Sequence, residues 1–179
     1  MNVMSELIVL RGDVTTLPVG AIVNAAKPSL MGGGGVDGAI HAVGGPSILK
    51  ACKAIVSTQG PCQPGQAVVT GAGELPCGIV IHTVGPIWDE AQAVAHDETL
   101  ADCYRNCLDL AANYNVKEVA FPNISTGVYG FPKPRAASVA LNATIDWLEQ
   151  NQHLGHELQQ IVFVCFDDEN VQLYQNLLG

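Results

Sequence analysis

The chain has 179 residues, 48% of them hydrophobic and 14% charged, which is enough to bury the core of a single domain spanning residues 1–179. Seventeen acidic residues against eight basic ones leave a formal net charge of −9, which repels polyanions and argues against general nucleic-acid binding. No apolar run approaches the length of a membrane span, and "MNVMSELIVLRGD" lacks the basic start and apolar core of a signal peptide, so a cytoplasmic protein with no membrane partner is expected.

In chain order, the first apolar run is "LIVL" at 7–10, followed by "RGDVTTLPV" with Asp13. "AIV" at 21–23 leads into "NAAKPSLMGGGGVDG" and a helical pattern "GAIHAVGG". "AVVT" at 67–70 and "IVIHTV" at 79–84 come next. "DETLADCYRNCLDLAA" places Leu100, Cys103, Cys107, Leu108 and Ala111 on one helical stripe. "VAF" at 119–121 runs into "PNISTGVYGFP", and the next helix aligns Ala137, Leu141, Ile145 and Leu148 after Pro134. A solvated connection, "EQNQHLGHELQQ", precedes "IVFVCF" at 161–166, and a last helix after "DDEN" turns Val171, Tyr174 and Leu178 inward. The strand runs are mostly continuous rather than alternating, as in strands covered on both faces. Strands alternating with helices predict an α/β fold with a largely parallel sheet, whose ligands bind beyond the carboxyl ends of strands.

Six cysteines without a CxxC pair read as reduced, buried thiols, because several fall within apolar strand or helix patterns. Cys103 and Cys107 share a helical stripe and are assigned to core packing, and no metal site is expected.

Four adjacent glycines, Gly32, Gly33, Gly34 and Gly35, run into Val36 and Asp37. Glycine loses more backbone freedom on folding than any other residue, so such a run implies that something approaches the main chain closely. Two readings stand for Asp37: it caps the helix that follows, with His41 as its neighbour one turn on, or it serves chemistry. The loop "STGVYG" offers amides at Gly127 and Gly130 and hydroxyls at Ser125 and Thr126, and with the glycine run it forms a candidate diphosphate clamp. Tyr129 and Phe131 either cover a sugar or anchor the loop. Asp13 either caps a short turn or accepts from the amine of adenine, with Phe166 packing on the base.

"RGDVTTL", "AIVNAAKPSLMGGGGVDGAIHAVGG", "HTVGPIW", "FPNISTGVYGFP" and "VCFDDEN", in this order and spacing, resemble the macrodomain family, most closely its MacroD-type bacterial O-acetyl-ADP-ribose deacetylases. The likeness spans almost the whole chain. It implies a three-layer α/β/α fold with a central mixed, largely parallel sheet. It also implies binding of ADP-ribose, and hydrolysis of O-acetyl-ADP-ribose and of mono-ADP-ribosyl esters on acidic protein residues, with no metal or other cofactor. Carried over by position, Asp13 would read the adenine and Phe166 form part of its pocket, with Val14 and Asn24 also among the ADP-ribose-binding residues. Gly32 to Gly35, with Val36, would hold diphosphate and distal ribose from one side, and Ser125, Thr126, Gly127, Val128, Tyr129 and Gly130 from the other. Phe131 would lie against the distal ribose, and Asp37 would activate water near its ester.

One position departs from the family's N-A-A-N pattern, here "NAAK": Asn24 is kept and Lys27 replaces the second asparagine. A lysine has no acceptor and cannot reproduce an amide. It has three possible roles: pairing with Asp37, which would leave an ADP-ribose reader with weak turnover; donating to the ribose or pointing to solvent, which spares hydrolysis; or attacking an opened ribose as an amine. A zinc-dependent member of the superfamily is set aside, since the glycine loop holds no Cys or His cluster.

Overall fold

Apolar residues occupy both faces of the central strands, and the fold covers both. In the computed structural model, which describes residues 5–179, six strands form one sheet: β1 (Glu6–Arg11), β2 (Ala21–Ala25), β3 (Ala67–Gly71), β4 (Ile79–Thr83), β5 (Glu118–Phe121) and β6 (Gln160–Cys165). The first four residues of the amino-terminal stretch read above lie outside the described residues. The strand order is β1-β6-β5-β2-β4-β3. Neighbours pair parallel except β3 with β4, which run antiparallel. The sheet is therefore mixed and largely parallel, as expected.

Five helices are described: α1 (Gly35–Gly44), α2 (Pro46–Gln59), α3 (Ala93–Asn113), α4 (Lys133–Asn151) and α5 (Asp168–Leu178). Alternate residues of each strand enter two separate cores. Ala21 and Val23 of β2 pack with Ile81, Phe121 and Phe163 beneath α3, α4 and α5. Ile22, Val80, Val162 and Val164 pack with Ile40 of α1 and with Ile48 and Cys52 of α2. Each such aliphatic side chain contributes about 1.5–3 kcal/mol through burial, so the strand parity fixes which helices lie on which face. The outcome is the three-layer α/β/α arrangement.

The stripe Leu100, Cys103, Cys107, Leu108 and Ala111 is buried throughout. Helix α2 is absent from the expected elements, although Ile48, Cys52, Ile55 and Val56 repeat at helical spacing; Ile48 and Cys52 are buried, and Ile55 and Val56 are half-buried against the same core. Leu178 is a correction, being exposed at the last turn of α5 while Val171 is half-buried and Tyr174 buried. Helix α5 also starts inside "DDEN", where the Asp167 carboxylate caps it by accepting from the Asn170 amide at 2.8 Å. Ile145 is half-buried rather than core.

One feature of the sheet opens a crevice. Strands β2 and β5 pair only at Ala21 with Val119 and Ile22 with Ala120. Beyond these positions β2 keeps pairing with β4 to Ala25 and Thr83 but not with β5. The loop leaving β2 goes to α1 on one face of the sheet, and the loop leaving β5 goes to α4 on the other. Such a divergence at the carboxyl ends of adjacent parallel strands is where open α/β sheets bind ligands.

Candidate functional site

Asn24, near the end of β2, is fully buried, and its position opposite His82 of β4 follows from the strand register. The Asn24 amide donates one proton to Asp37 Oδ1 at 2.9 Å and another to His82 Nδ1 at 3.0 Å. Asp37 lies in the first turn of α1 and is 4% exposed. It does not cap the helix: the N-cap is Gly34, which has no side chain to cap with, so the capping alternative falls. The first-turn amides of α1 therefore have no side-chain cap and carry the positive end of the helix dipole, an arrangement suited to an anion.

Buried side-chain polar atoms nearly always have partners. Among the described residues, those without one are Asn24 Oδ1, Asp37 Oδ2, both ring nitrogens of His41, and Asn123 Oδ1. All belong to β2, α1 or the loop after β5, the three segments that border the crevice. His41 Nε2 lies 3.5 Å from Asp37 Oδ1 one helical turn on, close but outside hydrogen-bond geometry. Asp37 Oδ2 is thus a buried carboxylate oxygen with no partner in the protein, beside an oxygen that is firmly held.

The glycine run serves several purposes. Gly35 has a φ of +59°, a left-handed conformation that favours glycine, and a Cβ on Gly34 or Gly35 would meet nothing within 4 Å. Gly33 is different, since its Cβ would sit 2.9 Å from Lys27 Cε and Nζ and 3.4 Å from Asp37 Oδ2. Lys27 is exposed, and no ion pair joins it to Asp37.

Across the crevice, the loop after β5 is tied down at its base. Ser125 adopts a φ of +66°, donates from its hydroxyl to the Pro86 carbonyl at 2.9 Å, and accepts from the Phe131 amide at 2.9 Å. Thr126 Oγ1 donates to the Asn123 carbonyl at 3.3 Å, so both hydroxyls are used within the protein. The amides of Gly127, Val128 and Tyr129 have no acceptor among the described residues, and Val128 is fully exposed. Phe131 is buried with its ring 4.6 Å from that of Trp88, whose amide donates to the Tyr129 carbonyl at 2.8 Å. The loop therefore presents main chain outward and anchors its aromatic inward.

Asp13 is exposed and caps the 3-10 turn Val14–Thr16, accepting from the Thr15 amide at 2.9 Å and hydroxyl at 2.7 Å. Val14 is buried beneath it, and Phe166, just past β6, is 83% exposed. Strand β1 neighbours β6, which brings the Asp13 turn and Phe166 to one end of the row of loops. Nearby, Arg11 pairs with Asp168 at 2.7 Å, and Lys133 with Asp167 at 3.1 Å and Glu169 at 3.0 Å. These acidic groups are thereby committed within the protein.

His82 is the one polar residue before Thr83 in the apolar run "IVIHTV", and a period of two sets it on the α1 and α2 face with Asn24. Burial, with the nearby His41 adding to it, pushes its imidazole down to about 4, so it is neutral. All six cysteines are buried and unpaired, and burial pushes the thiols of Cys52, Cys62 and Cys103 up to about 11. Cys77 is raised for the same reason, so neither it nor Cys62 is a reactive thiol. A groove of about 370 Å³ lined by Gln59, Gln66, Asn106 and Asp109 lies along the β3 edge and includes none of the site residues.

The Macro domain family profile matches residues 23–140. An O-acetyl-ADP-ribose deacetylase of Klebsiella pneumoniae (strain 342) is 51% identical over 179 residues, covering all of this chain and 98% of its own. The Oceanobacillus iheyensis macrodomain solved with ADP superposes at a TM-score of 0.90 with 39% identity, over 99% of this chain and 92% of its own. The Trypanosoma brucei macrodomain in complex with ADP-ribose does so at 0.85 with 39% identity, over 97% of this chain and 69% of its own. The chain belongs to the macrodomain family.

Proposed function

We propose that this macrodomain binds ADP-ribose across the crevice between β2 and β5 and hydrolyses the ester of O-acetyl-ADP-ribose, with Asp37 as the general base. The observation that carries the proposal is Asp37 itself: one oxygen is held by Asn24 and the other is buried without a partner at the amino end of α1. The names of its relatives, which include a deacetylase and structures with ADP and ADP-ribose, support the same reading.

A chain with a net charge of −9 is a poor electrostatic host for a diphosphate. Main-chain amides solve this problem, because their partial charges are fixed in place. Here the first turn of α1 supplies them from one side and Gly127 to Tyr129 from the other. The adenine would lie at the β1 and β6 end, with Asp13 accepting from its amine and Phe166 covering the ring. The distal ribose would then reach Asp37 beside Gly33, Val36 and Asn24.

In the hydrolytic step Asp37 Oδ2 takes a proton from water as the water oxygen bonds to the acyl carbon. The bond from that carbon to the ribose oxygen breaks, and the proton passes from Asp37 to the departing oxygen. Acetic acid and ADP-ribose leave, and the acid gives its proton to solvent. No electron leaves the system, so the residues need no redox partner. Esters linking ADP-ribose to a glutamate or aspartate side chain present the same acyl carbon and ribose oxygen, and mono-ADP-ribosylated proteins belong to the proposed substrate class. Six unpaired thiols suit a reducing compartment and support a cytoplasmic setting. Among the described residues, no helix is long and apolar enough to cross a membrane.

The reader alternative draws on Lys27. It would require the ammonium to neutralise Asp37, and the two do not pair. Calorimetry with ADP-ribose and a deacetylation assay on one sample test the proposal: binding with turnover above the uncatalysed rate supports hydrolysis, and tight binding without it leaves a reader.

A further inference from the structure

Beneath Asp37 lies a chain of buried hydrogen bonds that crosses three strands, and one set of directions satisfies every member. The two amide protons of Asn24 go to Asp37 Oδ1 and to His82 Nδ1. A neutral imidazole carries one proton, so an Nδ1 that accepts places it on Nε2. His82 Nε2 lies 2.9 Å from Thr70 Oγ1, and the Thr70 hydroxyl donates onward to the Gly71 carbonyl at 2.9 Å. Thr70 thus accepts from His82, and every member from Gly71 to Asp37 has one consistent role. Cys52 Sγ, at 4.0 Å from Nε2, and the His41 ring, centred 6.4 Å away, also flank the imidazole, and the Asp37 carboxylate stands behind the Asn24 amide.

We infer that His82 is a positioning residue for ester hydrolysis: as an acceptor at Nδ1 it holds the Asn24 amide in the orientation that engages Asp37 Oδ1, which leaves Oδ2 as the oxygen that faces substrate. The inference rests on Asp37 being the base. An amide rotated by half a turn would aim Asn24 Oδ1 at Asp37 and at His82 Nδ1, opposing acceptor to acceptor at both. The imidazole prevents that only while Nδ1 is unprotonated, and Thr70 secures this by receiving the Nε2 proton. His82 is 1% exposed and lies a residue away from the reacting atoms, so it acts on the reaction through Asn24 alone.

Three substitutions separate positioning from mere support. In His82→Asn the side-chain oxygen falls near the place of Nδ1 and restores the acceptor while leaving a cavity. His82→Gln keeps contact with Thr70 but not the acceptor for Asn24. His82→Leu fills the space and accepts nothing. The expected order of kcat for O-acetyl-ADP-ribose is wild type, then His82→Asn, with His82→Gln and His82→Leu lower by roughly 100-fold, the scale of a misplaced catalytic group. KM is expected to stay within a few-fold. Thermal stability, in contrast, is expected to favour His82→Leu over His82→Asn, because the cavity costs more than the lost bond. A kcat that follows Tm across the three, or His82→Leu at wild-type kcat, overturns the inference.

Nitrogen NMR of labelled wild-type protein gives a reading independent of turnover. His82 is expected as the Nε2–H tautomer at neutral pH, and an Nδ1-protonated His82 overturns the inference. A wild-type protein that shows this tautomer but no hydrolysis refutes the proposed reaction, and with it the catalytic role of His82, while the hydrogen-bond chain itself stands.

Discussion

Lys27 and Asp37 converge on Gly33, the ammonium and Oδ2 lying 2.9 and 3.4 Å from the place a Cβ would take there, yet they form no ion pair. A charge that stands beside the site without neutralising the base leaves Asp37 free to act. Lys27→Asn is accordingly expected to change kcat for O-acetyl-ADP-ribose by less than about tenfold, under 1.4 kcal/mol in the barrier. Steady-state kinetics of the two proteins check this, and a rise of several orders of magnitude would show that the lysine blocks the site.

Gly34 has an extended backbone, with φ −97° and ψ −174°, that any residue adopts, and a side chain there would meet nothing within 4 Å. Folding therefore tolerates Gly34→Val, but the new methyl groups occupy the approach to the α1 amides. ADP-ribose affinity is expected to fall by at least about tenfold, or 1.4 kcal/mol, while Tm falls by only a few degrees because valine caps α1 less well than glycine. Calorimetry and a thermal melt on the same preparation measure both quantities.

The neutral burial of His82 makes stability depend on pH. An exposed histidine titrates near 6.5, whereas His82 in the folded chain does so at about 4. As pH falls below 6.5 the unfolded chain takes up a proton that the folded chain refuses, so stability is full above that pH and declines toward 4. The loss contributed by this residue is roughly 3 kcal/mol. The groups around it are Asn24, Thr70, Cys52 and His41, and the nearest carboxylate, Asp37, is held off behind the Asn24 amide rather than in contact with the ring. Denaturant melts between pH 4 and 7 are expected to show a shallower decline for His82→Leu than for the wild type.

The strands and the helix carrying Leu100, Cys103 and Cys107 were legible because continuous apolar runs and a helical period impose one arrangement. The loops bordering the crevice were legible too, since glycine runs at the ends of strands have few other uses. Asp37 was singled out on that ground, and its failure to cap α1 needed the helix boundary, which Gly34 sets. The link from Asn24 through His82 to Thr70 was hidden for a different reason. It joins residues 24, 70 and 82 through cross-strand register, and nothing local in "IVIHTV" signals that His82 faces Asn24. Helix α2 is legible in the spacing of Ile48, Cys52, Ile55 and Val56 yet lies outside the expected elements, and the exposure of Leu178 was not legible because helical spacing does not show where the neighbouring layer ends.

The most direct test of Asp37 as the base is turnover of O-acetyl-ADP-ribose by wild type and Asp37→Asn, alongside ADP-ribose affinity for each. The substitution keeps the side chain's size and removes its basicity. The expected result is a loss of kcat by about 10²- to 10⁴-fold, the contribution of a positioned base, with binding within a few-fold of the wild type. Turnover that survives Asp37→Asn undiminished would contradict the account.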